Sequence, residues 1–205
     1  MPDRRPTGTS RRRRLVAIAG HAGDARTARA HLDDDDSTVR ASALRSLHRS
    51  AALATADLDA AFEDRSPAVR RAAAELAATD TRCRLGELLD DADDTVVEVA
   101  AWALGEWGRA GADSVPMLER LALDHGDSLC REAAVASLGA IGDGSSLPTV
   151  IAALSDKATV RRRAVIALAA FEGPEVDAAL RRALDDRDWQ VRQVAEDLLG
   201  ERGQA

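Results

Sequence analysis

An all-α solenoid is the fold class this sequence predicts, on three observations. First, hydrophobic residues make up 45% of the 205 residues but aromatics only 2%. Alanine-rich, aromatic-poor chains pack helices closely and rarely build sheets, which favour β-branched and aromatic residues. Second, a similar segment recurs six times, with its anchor at Val39, Val69, Val96, Cys130, Val160 and Val191. Third, each segment is helical in period. Four residues past the anchor stand Ala43, Ala73, Ala100, Ala134, Ala164 and Ala195, and eight past it Leu47, Ala77, Leu104, Leu138, Leu168 and Leu199. Steps of four trace one helix face, and an alanine at its centre implies a crossing too tight for a larger side chain. One helix pair of this length cannot bury its apolar face alone, so neighbours stack into a continuous core.

Taken in order, residues 1–14 carry Arg4, Arg5 and Arg11 to Arg14 against Asp3. They are expected to form a basic, disordered tail ahead of a single solenoid over residues 15–202. Arg11 to Ala19, across that boundary, also fits the second helix of a degenerate leading repeat. Shorter apolar helices are expected before the anchored ones, at roughly residues 24–32, 55–63, 81–90, 112–124, 145–154 and 174–184. Gly142, Gly144, Pro148, Gly173 and Pro174 fall between helices, where stops and starts belong.

Charge narrows the function classes. The chain's net −7, less the +5 of residues 1–14, leaves −12 for the body. That argues against broad nucleic-acid binding, which needs a positive footprint. Only the Arg11–Arg14 tail offers one, and it reads equally as an arm for acidic partners or nucleic acid and as solvated sequence ahead of a misassigned start. The apolar run "LVAIA" is too short for an export signal, and no stretch approaches the ~18 apolar residues of a membrane span. Cys83 and Cys130 form neither a disulfide framework nor a zinc motif, so a cytoplasmic location is expected.

The segments "DRSPAVRRAAAELA", "AAWALGEWG", "EAAVASLGAIGD" and "DDRDWQVRQVAEDLL" resemble HEAT repeats, in the short variant found in phycobilin lyase subunits, over about residues 20–200. The resemblance implies an armadillo-type superhelix of about six HEAT-like helix pairs, with the second helix of each pair lining a concave surface. It also implies a ladder of ion pairs between neighbouring repeats, from Asp34, Asp64, Asp91 and Asp186 to Arg40, Arg70, Arg131, Arg161 and Arg192. Carried onto this chain, Asp34 is expected to meet Arg70, and Asp91 to meet Arg131. Val97, His125 and Ser155 stand where ladder residues belong, so an interruption is expected mid-chain. Three residues before each anchor stand Asp36, Ser66, Asp93, Asp127, Lys157 and Asp188. Aspartate or serine there caps the following helix by accepting its first amide N–H groups. The run "HLDDDDSTVR" has the look of a cation site, but it reads as cap and ladder, with Asp33 and Asp35 as solvated charge.

No chemistry-bearing constellation emerges. His21, His31, His48 and His125 are not at metal-ligand spacing, and no H-E-x-x-H or phosphate-binding glycine loop occurs. Deoxyhypusine hydroxylase, built from similar repeats, holds iron with His-Glu dipeptides, and this sequence has none. No residue set defines a bilin site. Catalytic, cofactor and metal residues are therefore expected to be absent. The expected function is a non-catalytic scaffold for protein–protein interaction. The alternative is an accessory enzyme or cofactor-handling protein of the phycobilin-lyase or deoxyhypusine-hydroxylase (oxidoreductase) type.

Trp102 stands six past its anchor, off the buried face, level with Arg45, Glu75, Ala136, Ile166 and Asp197. The resemblance places that column on the concave face, so Arg45, Glu75, Glu98, Trp102, Glu106 and Ile166 are candidates for binding a protein partner. Packing of Trp102 against a neighbouring helix is the competing reading. Trp107 is expected in the core, and Trp189 is expected to cover the preceding repeat.

Overall fold

The computed structural model describes residues 8–202. These form an all-α solenoid of stacked helix pairs. The chain divides into two compact units, Met1–Leu88 and Leu89–Ala205.

In the first unit, α1 (Gly8–Ala22) leads into α2 (Ala25–Arg29) and α3 (Ser37–Arg49), then α4 (Thr55–Phe62) and α5 (Pro67–Ala77). α1 packs on α3, and α3 on α5. The chain is already helical at Gly8, so Arg11 to Arg14 lie within α1 and not in a disordered tail. The cause is distant in sequence. Arg12 donates from Nε and Nη2 to the two carboxylate oxygens of Asp34, at 2.8 and 3.1 Å, which ties the start of α1 to the next repeat. Arg4 and Arg5 lie outside the described residues.

The short helix expected at 81–90 differs too, being reduced to a 3-10 segment, Leu85–Asp90. The Asp80 carboxylate accepts the Arg82 amide (3.1 Å), Arg82 Nε (2.8 Å) and the Thr55 hydroxyl (2.6 Å). Asp59 accepts the Arg84 amide at 2.9 Å. These bonds hold residues 80–84 as a turn, so the helical segment starts only at Leu85.

The second unit contains α6 (Asp94–Glu106), α7 (Val115–Asp124), α8 (Ser128–Ile141), α9 (Leu147–Ala152), α10 (Ala158–Ala167), α11 (Pro174–Ala183) and α12 (Trp189–Arg202). α8 ends at Gly142, whose φ of +66° is the left-handed cap that glycine adopts without a Cβ clash. α6 packs on α8, α8 on α10 and α10 on α12. The anchor and alanine columns are buried throughout, and Ala43, Ala73, Ala100, Ala134, Ala164 and Ala195 are all 0% exposed. Asp36, Asp93, Asp127 and Asp188 each accept an amide N–H two residues on, as caps do. Ser66 and Lys157 make no such side-chain bond. Trp107 is half-buried as the C-cap of α6. Trp189 begins α12 and is 64% exposed, so it does not cover the preceding repeat as expected.

The ladder runs in the opposite sense to the one expected. Arg12, Arg40, Arg131 and Arg161 each reach forward to a carboxylate of the following repeat. Arg40 Nε and Nη2 donate to Asp64 at 2.7 and 2.6 Å. Arg131 engages Asp156 (2.6 and 2.8 Å), and Arg161 engages Asp186 (both 2.8 Å). Asp34 thus meets Arg12, not Arg70, and Arg131 is committed to Asp156, not Asp91. The third nitrogen fixes the direction: Nη1 of Arg40, Arg70, Arg131, Arg161 and Arg192 donates back to a turn carbonyl of its own repeat. In Arg40, Arg131 and Arg161 the guanidinium is then aimed at the next repeat in a bidentate fork. Asp34, Asp64, Asp91 and Asp186 also each accept the amide N–H two residues on, which orients them. Ser155 does not break the ladder, because Asp156 takes the rung one residue later. At the remaining gap Val97 is 1% exposed. His125 fills the aspartate's place there, its Nδ1 accepting the Asp127 amide at 3.1 Å.

A column of small residues sets how closely the long helices approach. A Cβ added to Gly105 would lie 2.7 Å from Ser137 Oγ, and one on Gly139 2.7 Å from Ala167 Cβ and 2.9 Å from its Cα. Gly139→Ala is therefore expected to lower stability by about 1–2 kcal/mol, even though alanine is the better helix former by about 1 kcal/mol. Gly200, in α12, has nothing within 4 Å of the added Cβ, and Gly200→Ala is expected to raise stability by up to about 1 kcal/mol. Urea unfolding of the two variants checks the opposite signs.

Candidate partner-binding surface

α6 holds Trp102 outward. Asp93 caps the helix, accepting the Thr95 amide at 3.0 Å. Ala100 and Leu104 turn inward, fully buried. Trp102 lies between them in sequence and on the opposite side of the helix, 44% exposed. Glu98 and Glu106 stand four residues before and after it, so all three share one helix stripe.

α8 and α10 complete the surroundings. A cleft of ≈ 460 Å³ is lined by Glu98, Val99 and Trp102 from α6, by Leu129, Glu132, Ala133 and Ala136 from α8, and by Arg163 from α10. The small side chains of Ala133 and Ala136 make the depression. Arg163 donates to Glu132 at 3.2 Å across α8 and α10. Leu129 and Ile166 are also exposed, at 53% and 43%.

The structure brings Glu98 and Trp102 into one cleft. Glu106 continues the stripe, and Ile166 lies on α10. Arg45 and Glu75 belong to the first unit, where they pair with each other at 3.2 Å. Leu129, Glu132, Ala133 and Arg163 were not among the candidates. One signal was available: Glu132 stands two residues past its anchor, as Glu98 does, so the two share a column.

A larger cleft, of ≈ 600 Å³, lies in the first unit and includes Asp33, Asp34, Asp35, Asp57 and Asp64. Its charges are largely committed, with Arg29 on Asp57 at 2.6 Å and Arg40 on Asp64. Among the described residues, no three His, Cys, Asp or Glu gather where a metal ion could be held. Burial pushes the Cys83 thiol up to about 11 and Cys130 up to about 12, so both stay protonated near neutral pH and neither is a ready nucleophile. No helix among the described residues is long and apolar enough to cross a membrane.

A family model for HEAT repeats matches residues 84–159 and 123–200. No curated protein matches the sequence. Among solved structures, YibA of Escherichia coli is similar with a TM-score of 0.65 at 18% identity, over 98% of this chain and 78% of its own. A designed armadillo repeat protein in complex with the peptide (KR)4 is similar with a TM-score of 0.62 at 19% identity, over 83% of this chain and 96% of its own. The complex of CpcE and CpcF of phycocyanin lyase from Nostoc is similar with a TM-score of 0.59 at 25% identity, over 86% of this chain and 76% of the matched one.

Proposed function

We propose that this chain, which belongs to the HEAT-repeat family, is a non-catalytic scaffold that mediates protein–protein interaction in the cytoplasm. The partner docks on the outward side of α6, α8 and α10, centred on Trp102. One observation carries the reading: a large aromatic side chain stands 44% exposed at the rim of a cleft, with Leu129 and Ile166 also bare on neighbouring helices. Exposed aromatic anchors beside apolar depressions are what binding hot spots are made of. A designed protein of similar fold was solved with a peptide bound, which supports the use of such a scaffold for recognition.

Affinity capture with wild-type protein and with Trp102→Ala plus Ile166→Ala tests the reading. A set of proteins retained by wild type and lost by the variant supports it, and an unchanged set removes the proposed site. The likeness to the phycocyanin lyase complex favours a second reading, a cofactor-handling accessory protein. A bound chromophore in the absorption spectrum of the purified protein would favour that second reading.

A further inference from the structure

We propose that the Trp102 surface recognises a cationic side chain, arginine or lysine, carried on an extended segment of the partner with an apolar side chain beside it. The inference rests on the interaction reading above and assigns the chemistry of what binds there.

The stripe on α6 is acidic on both sides of the indole. Glu98, Trp102 and Glu106 follow one another at four-residue steps, so carboxylate, indole and carboxylate span about 12 Å of helix axis. The indole face attracts a cation through its quadrupole, and the flanking carboxylates add to that attraction. Glu106 is moreover the last residue of α6, a helix with no basic residue in its final turn. The negative end of the helix dipole there opposes a carboxylate and favours a cation. An incoming guanidinium or ammonium group therefore meets ring, carboxylates and helix end with the same sign of interaction. An anionic segment or a nucleic-acid phosphate meets all of them with the wrong sign.

The cleft wall points the same way. Arg163 is the one cation among its lining residues, and it is already engaged by Glu132. Apart from that pair and from Glu98 and Trp102, the lining is Val99, Leu129, Ala133 and Ala136, which suits an aliphatic side chain next to the cation on the same strand of peptide. Successive residues of an extended peptide point to opposite sides, so the cation and the aliphatic residue that share this face stand two apart.

The test uses the full chain and three peptides of equal length built on the repeat X-Ser-Leu-Ser, in which X is arginine, serine or glutamate, so that X and leucine stand two apart and share a face. Binding is followed by fluorescence anisotropy at low and raised salt. The arginine peptide is expected to bind with a Kd that rises with salt, and the other two to bind at least ~10-fold more weakly. Glu98→Gln plus Glu106→Gln is expected to weaken it ~10-fold. Glu172→Gln plus Glu175→Gln, which removes two exposed acids elsewhere in the same unit, is expected to leave it unchanged. Circular dichroism of each variant confirms folding. Equal binding of the serine or glutamate peptide, equal losses in the two glutamine pairs, absence of any binding, or self-association of the chain through Trp102 would each overturn the assignment. If affinity capture still depends on Trp102 when the peptides show no cationic preference, the cation assignment alone falls. If capture is also indifferent to Trp102, the interaction surface falls with it.

Discussion

Val97→Arg, made alone, is expected to cost about 3–5 kcal/mol of stability, and adding His125→Asp is expected to recover most of that loss. Val97 occupies the ladder-arginine position in the third repeat and is 1% exposed. An arginine there enters a buried site whose forward partner is an imidazole, which offers no carboxylate to pair with it. A buried charge without its counter-ion is among the most damaging single changes a fold can suffer. His125 sits where Asp34, Asp64 and Asp186 sit in their repeats, accepting the amide two residues on. An aspartate at 125 can take that amide bond and offer its second oxygen to the new guanidinium. The remaining guanidinium nitrogen would find a turn carbonyl of its own repeat, as Arg131 does with His125 O at 2.6 Å. His125→Asp alone is expected to cost roughly 1–2 kcal/mol, since a carboxylate without its arginine would then lie near Asp94, now 3.8 Å from the imidazole. Denaturant unfolding of the four chains closes a double-mutant cycle. A coupling near zero would mean that positions 97 and 125 are not a vacant rung.

The architecture was legible in the sequence because close helix packing permits few side chains at fixed offsets. The alanine column and the capping aspartates are consequences of that geometry, so their spacing announced it. The sense of the ladder was not legible. An aspartate six residues before an arginine is compatible with pairing to either neighbour, and only the turn-carbonyl bond made by each Nη1 decides between them. Arg12 was hidden for a related reason. Four consecutive arginines look like solvated sequence until Asp34, 22 residues on, is seen to need one of them. The offset of six put Trp102 off the buried face but left packing against a neighbouring helix open, and its 44% exposure is read only from the structure. The cleft beside it was not legible, because its far wall is built by Leu129, Glu132 and Arg163 from two later helices, which approach closely at Gly105 and Gly139.

Arg161→Ala is the second large effect, expected to cost about 2–4 kcal/mol at neutral pH. The side chains of Arg161 and Asp186 are only 6% and 14% exposed. Alanine removes both bonds to the carboxylate and the bond to the Asp156 carbonyl at 2.8 Å. Arg161→Lys keeps the charge and loses the fork, so its cost is expected to be smaller, about 1–2 kcal/mol. The pH dependence separates this cause from simple loss of packing. The Arg161 guanidinium, with the Asp188 amide, holds the Asp186 carboxyl below its ordinary range despite partial burial. A carboxyl depressed in the folded state contributes stability that is complete above its unfolded value of about 3.9 and is lost as pH falls through the lower folded value. Wild type is therefore expected to lose this contribution below about pH 4, while Arg161→Ala, already without it, loses less over the same interval. The two stability curves should converge towards acid pH when followed by urea unfolding from pH 7 downwards. Parallel curves would assign the cost to lost packing of the arginine stem and remove the ion pair as its source.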